Sequence, residues 1–225
     1  MKSTFFLLAL TFLGSLSATA ESTPRPKPER FAKEIVAFAK QEVVKGGIVF
    51  TGSSSIRRWT ELQKDFPGLP VLNRGFGGSV ANDLTVYAET VVIRHEPKIL
   101  VTYTGSNDLN ARLTPQEVLE DYIKFLNLVH GKLPQTKVIL NAVKISLKRV
   151  TQIPQVHELN RLLQEWAKDK PWVRYVDSTS YLADDKGQPV RDFYVDDLLH
   201  LSPKGYAEWT KILDPILREE WARLK

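Results

Sequence analysis

"IVFTGSSSIRRW", residues 48–59, sets a short apolar run against three consecutive serines. Ile48, Val49 and Phe50 are β-branched or aromatic and show no polar alternation. That is the composition of a strand buried on both faces. The turn that follows, Gly52-Ser53-Ser54-Ser55, then ends a buried strand in small polar residues. A serine-rich turn of this kind serves either to cap a helix or to present a hydroxyl for chemistry.

The same design repeats outward from this stretch. "LPVLN" (69–73), "KILVTYT" (98–104), "KVILNAV" (137–143) and "WVRYVD" (172–177) read as four more strands. Helical periodicity lies between and around them, over 31–45, 80–94, 115–131, 155–169 and 203–220. Thr114-Pro115 and Ser202-Pro203 supply a cap residue with proline at the first helical position. Alternating strands and helices predict a three-layer α/β/α sandwich around a five-stranded parallel sheet. In a flavodoxin-like order, 2-1-3-4-5, the first three strands are neighbours, and ligands bind beyond their carboxyl ends.

The chain has 225 residues, no cysteine and a formal net charge of +5. Lys2, the apolar run Phe5–Leu13 and Ala18-Thr19-Ala20 have the pattern of a secretory signal peptide over residues 1–20. The run is too short for a membrane span, so an exported, periplasmic or extracellular protein without a stable membrane anchor is expected. Residues 21–30 read as an exposed Pro-rich lead-in, and 31–225 as one domain. Without cysteine there is no thiolate chemistry and no disulfide. No nucleic-acid motif accompanies the basic balance, and no metal-ligand spacing is present, so neither nucleic acid nor a cofactor is expected.

The expected strand ends carry the chemistry. After the second comes "NRGFGGS" (73–79), and after the third "TGSNDL" (104–109). Gly77-Gly78 would let backbone N–H groups approach a substrate, and Asn107 offers an uncharged amide donor. Of four histidines, His95, His130 and His157 sit where structural roles suffice. His200 lies in the irregular "YVDDLLHLSPKGY" (194–206), three residues after Asp197. A serine needs a base, and the base needs a carboxylate on its other ring nitrogen. The G-x-S-x-G elbow fails at Ile56, and "GFGG" fails the dinucleotide pattern at Val80.

Together, "VFTGSSSI", "NRGFGGS", "YTGSNDL" and "DDLLHLS" resemble the four ordered blocks of the SGNH, or GDSL-like, hydrolase family, over about residues 46–215. The resemblance implies Ser54 as nucleophile, His200 as base and Asp197 as its partner. It implies an oxyanion hole of the Ser54 N–H, the Gly78 N–H and the Asn107 amide. The family's aspartate before the nucleophile is Ser53 here. That departure motivates an alternative, a binding module for acylated glycans without turnover. Acyl transfer to an alcohol is the other. The main expectation is a serine esterase acting on short-acyl small-molecule or glycan esters. Arg57, Trp59, Arg74 and Phe76, near the blocks in sequence, are expected as substrate contacts; the competing roles are packing for Trp59 and Phe76 and a solvated helix face for the arginines.

Overall fold

A computed structural model describes residues 22–224. The expected signal peptide, residues 1–20, lies outside the described residues. Five parallel strands, β1 Ile48–Gly52, β2 Val71–Gly75, β3 Ile99–Tyr103, β4 Lys137–Asn141 and β5 Val173–Val176, form one sheet in the order β2-β1-β3-β4-β5. Strand pairing is in simple register, with Phe50 between Asn73 and Val101. The order expected from the sequence is therefore the one observed.

The helices are α1 Ala32–Ala39, α2 Ser54–Arg57, α3 Leu62–Asp65, α4 Ala81–Val86, α5 Ala88–Val91, α6 Ser106–Asn110, α7 Pro115–Lys132, α8 Ile153–Ala167 and α9 Pro203–Arg223. Each strand sends alternate side chains to opposite faces. Val49, Leu100, Val138 and Leu140 pack with residues of α4, α5, α7 and α8. Ile48, Phe50, Val101 and Ile139 pack with α2, α3 and α9 through Ile56, Leu62, Trp209 and Leu213. Both faces are covered, which explains the missing polar alternation in β1 and β3.

Three expected elements differ. The helix expected over 31–45 stops at Ala39. The Arg94 guanidinium donates to the carbonyls of Ala39 and Gln41, replacing continued helix, and β-branched Val43 and Val44 follow. The helix expected over 80–94 breaks at Tyr87, which ends α4 and precedes α5. Its hydroxyl donates to Pro28 O at 2.9 Å. The Pro-rich segment is not a free lead-in. Arg25 Nε donates to Asp121 Oδ2 at 2.8 Å, and Thr23 N to Glu117 Oε1 at 2.7 Å, so residues 23–25 are strapped to α7.

Candidate active site

The chain leaves β1 between β2 and β3, where strand order reverses, and this is the crevice at which such sheets hold ligands. Gly52 ends the strand at φ 137°, and a Cβ there would meet Tyr103 O at 1.8 Å. Only glycine fits. Ser53 N then donates to Tyr103 O at 3.0 Å, locking the turn to the neighbouring strand. Ser54 is the first residue of α2, so its N–H has no intrahelical acceptor. The turn thus presents both a hydroxyl and a free N–H.

The base arrives from the other end of the chain. Leu198 adopts φ 59°, uncommon for leucine, and bends Asp197 back toward His200. Asp197 Oδ1 accepts the N–H groups of Leu199 and His200, each at 2.9 Å. Asp197 Oδ2 accepts the Nδ1–H of His200 at 2.6 Å. That carboxylate holds the ring proton on Nδ1 and leaves Nε2 as an acceptor. The Ser54 hydroxyl lies 2.9 Å from Nε2. Hydroxyl, imidazole and carboxylate thus form one hydrogen-bonded chain across 146 residues of sequence.

The electrostatics follow from the partners. Desolvation acts to raise the Asp197 pKa, but the N–H groups and the His200 ring outweigh it, and the carboxyl lies below its ordinary range. His200 is lowered from its usual 6.5, chiefly by burial and further by the cations Arg58 and Lys144, against the opposing pull of Asp197. Arg58 Nη1 stands 3.5 Å from Asp197 Oδ2. A neutral, accepting imidazole is thereby favoured at neutral pH.

Asn107 and Gly78 come from the two expected loops. Asn107 Nδ2 donates to Ser79 O at 3.1 Å, which ties the third-strand loop to the second-strand loop beside Gly78. An amide carries two N–H groups, so one remains for a ligand. Arg149 Nη2 donates to Asn107 Oδ1 at 3.2 Å and fixes which end of the amide points inward. Gly78 has φ 87° and open space above its Cα. Beneath both loops Asp108, fully buried, accepts from Ala81 N at 2.7 Å and Gly105 N at 3.0 Å. Its burial pushes the carboxyl up to about 7, against those bonds.

A model of the GDSL-like lipase/acylhydrolase family matches residues 40–208. The chain belongs to that family. No curated protein matches the sequence. Solved structures share the fold at low identity. A protein from Streptococcus pneumonia described as a candidate platelet activating factor is 23% identical with TM-score 0.75, covering 84% of this chain and 92% of that one. A GDSL-like lipase from Bacteroides thetaiotaomicron is 18% identical with TM-score 0.70, covering 85% and 97%. A catalytic mutant of an acetylxylan esterase from Geobacillus stearothermophilus is 18% identical with TM-score 0.59, covering 80% and 96%.

Within this member of the GDSL-like family, the expected substrate contacts divide. Trp59, Arg74 and Phe76 are buried at 2%, 4% and 0% exposure. They are corrected to packing positions. Trp59 packs edge-on or tilted against Phe50, Phe66 and Trp209, Phe76 meets Phe31 edge-on at 4.9 Å, and Arg74 bonds His95 at 3.2 Å. Arg57 is exposed and reaches Glu34 at 3.4 Å. His130 stacks on Trp172 at 4.1 Å, away from the site. Sequence reasoning missed Tyr103, Lys144 and Arg149. All three line the cleft with Ser54, Asn107 and His200. The signal was available, because Lys144 and Arg149 follow the fourth strand, whose carboxyl end faces the same crevice.

Proposed function

We propose that this family member is an exported serine esterase that hydrolyses short-acyl carboxylic esters through an acyl-enzyme. The carrying observation is the chain from Ser54 Oγ to His200 Nε2, at 2.9 Å, and from His200 Nδ1 to Asp197 Oδ2, at 2.6 Å. Ser54 Oγ attacks the ester carbonyl as His200 Nε2 takes its proton. The oxyanion is held by the N–H groups of Ser54 and Gly78 and the Asn107 amide. His200 returns the proton to the alkoxide as the carbon–oxygen bond to the alcohol breaks. Water then attacks the Ser54 ester with the same base, and the acid leaves. Asp197 stabilises the imidazolium in both halves.

Short acyl groups are supported by the tightness of the cleft at Ser54, a cavity of about 10 Å³. Acetyl esterases also stand among the proteins sharing the fold. Comparison of wild type with Ser54→Ala on p-nitrophenyl acetate and longer homologues tests the proposal. Loss of about 10⁴-fold or more in Ser54→Ala is expected, with acetate preferred. Equal rates from the two proteins would remove the hydrolytic role and leave the binding-module alternative.

A further inference from the structure

Two cations line the cleft beside Ser54 without a carboxylate of their own. Lys144 is 2% exposed, and its Nζ has one acceptor, Leu199 O at 2.5 Å, so further N–H groups are unspent. Arg149 spends its Nη groups on Ser106 and Asn107, all neutral partners. Neither cation forms an ion pair among the described residues. Burial, and then Arg149, draw the Lys144 ammonium down to about 7; Asp197 opposes this only through space, its oxygens being occupied by His200, Leu199 and Arg58. Ser53 lines the same cleft and carries no charge.

A third group points to a ligand. Tyr103 is 1% exposed, and its hydroxyl, in the same cleft, lies beside the Ser55 side chain and the Lys144 backbone without a well-aligned hydrogen bond. A buried cation without a counter-charge, or a buried hydroxyl without a well-formed hydrogen bond, is costly, so its retention in a cleft calls for an occupant. The backbone around Lys144 is also fixed by side chains. Asn160 grips both polar groups of Val143 at 2.8 Å, and Thr179 Oγ1 accepts Ile145 N at 3.0 Å. Arg149 has a non-helical φ/ψ inside its 3₁₀ turn, a kink at the residue whose guanidinium meets Asn107. The cation wall is a built feature, not a chance of flexible side chains.

Resting on the esterase reading, we propose that Lys144, Arg149 and Tyr103 receive a carboxylate carried by the substrate within a few bonds of the scissile ester. The ester is thereby a hemiester of a dicarboxylic acid or an acyl ester of an acidic sugar. The first carries its charge on the acyl side, the second on the alcohol side. Burial strengthens the pairing of a carboxylate with Lys144, because the water that would screen it is absent. Two cations and one phenol match the lone pairs of one carboxylate better than a neutral acyl chain.

Two substrate pairs separate the sides. The acyl arm compares monoethyl with diethyl succinate, and the alcohol arm compares acetylated methyl glucuronide with acetylated methyl glucoside. Wild type is expected to favour the anionic member of one pair by at least about tenfold in kcat/KM. Lys144→Met and Arg149→Gln should bring that ratio near unity, whatever loss they share on both members. Lys144→Arg should restore part of it. A wild-type ratio near unity in both arms, or a ratio unchanged in the variants, overturns the proposal while leaving the esterase reading standing. A readout without turnover is calorimetric titration with succinate. Wild type should bind it at least about tenfold more tightly than Lys144→Met, and equal binding overturns the proposal. Absence of all ester turnover, with succinate still bound through Lys144, would instead defeat the esterase reading alone.

Discussion

His200 is set between opposing charges, and this fixes its titration. Asp197 favours the imidazolium; burial, Arg58 and Lys144 disfavour it, and the balance lies below 6.5. A base works when neutral, so activity falls as pH drops through that lowered value. The acid limb of kcat/KM is expected below pH 6.5. Lys144→Met removes one of the cations and should move that limb upward, read from pH–rate profiles of the two proteins. Asn107→Ala removes the side-chain donor and should cost about 10²–10³ in kcat, measured at saturating substrate. At this scale the sequence was legible where residue types are distinctive. His200 with Asp197 three residues before it, and glycine with serines after a strand, can each be read without coordinates. Trp59, Arg74 and Phe76 were not legible, because nearness in sequence does not say which face of a turn points inward.

Elements deliver these side chains by local rules. Gly52 passes under Tyr103 O, α2 begins at Ser54, and Leu198 turns Asp197 back on His200. The long helices were readable from Thr114-Pro115 and Ser202-Pro203, whose side chains do accept the N–H groups of Glu117 and Gly205. The short ones, α3 and α6, span only four and five residues and show no full period. At the head of α7, Glu117 accepts from Thr114 N and Thr23 N, with the first the larger influence, and its carboxyl falls to about 2 from 4.5. A depressed carboxyl adds stability above its unfolded value and loses it as pH falls. Wild type should therefore lose stability between about pH 4.5 and 2 relative to Glu117→Gln. Urea unfolding across that range measures it; parallel curves for the two proteins would count against the bond.

The whole molecule joins two apolar layers through one sheet, and the layer under α9 is aromatic. Phe50, Phe66 and Trp59 touch one another, Trp59 meets Trp209 and Trp209 meets Tyr103, and Trp59 Nε1 donates to Asp65 Oδ2 at 2.6 Å. Trp59→Ala would leave a cavity there and should cost about 3–5 kcal/mol, read from chemical denaturation. Because Trp59 lies one turn beyond Ser54, activity should fall with folding and not ahead of it. The sheet order followed from strand composition and alternation, which are local signals. The strap of residues 23–25 on α7 did not, because Arg25 and Asp121 are 96 residues apart and nothing local marks the pair.

The most direct measurement is site mapping of a covalent adduct. The protein is reacted with a serine-directed fluorophosphonate, digested, and sequenced by mass spectrometry. Modification of Ser54 alone is expected, weakened strongly in His200→Ala and absent in Ser54→Ala. An adduct on Ser53 or Ser55, or full ester turnover with Ser54 unmodified, would contradict the assignment on which the chemistry rests.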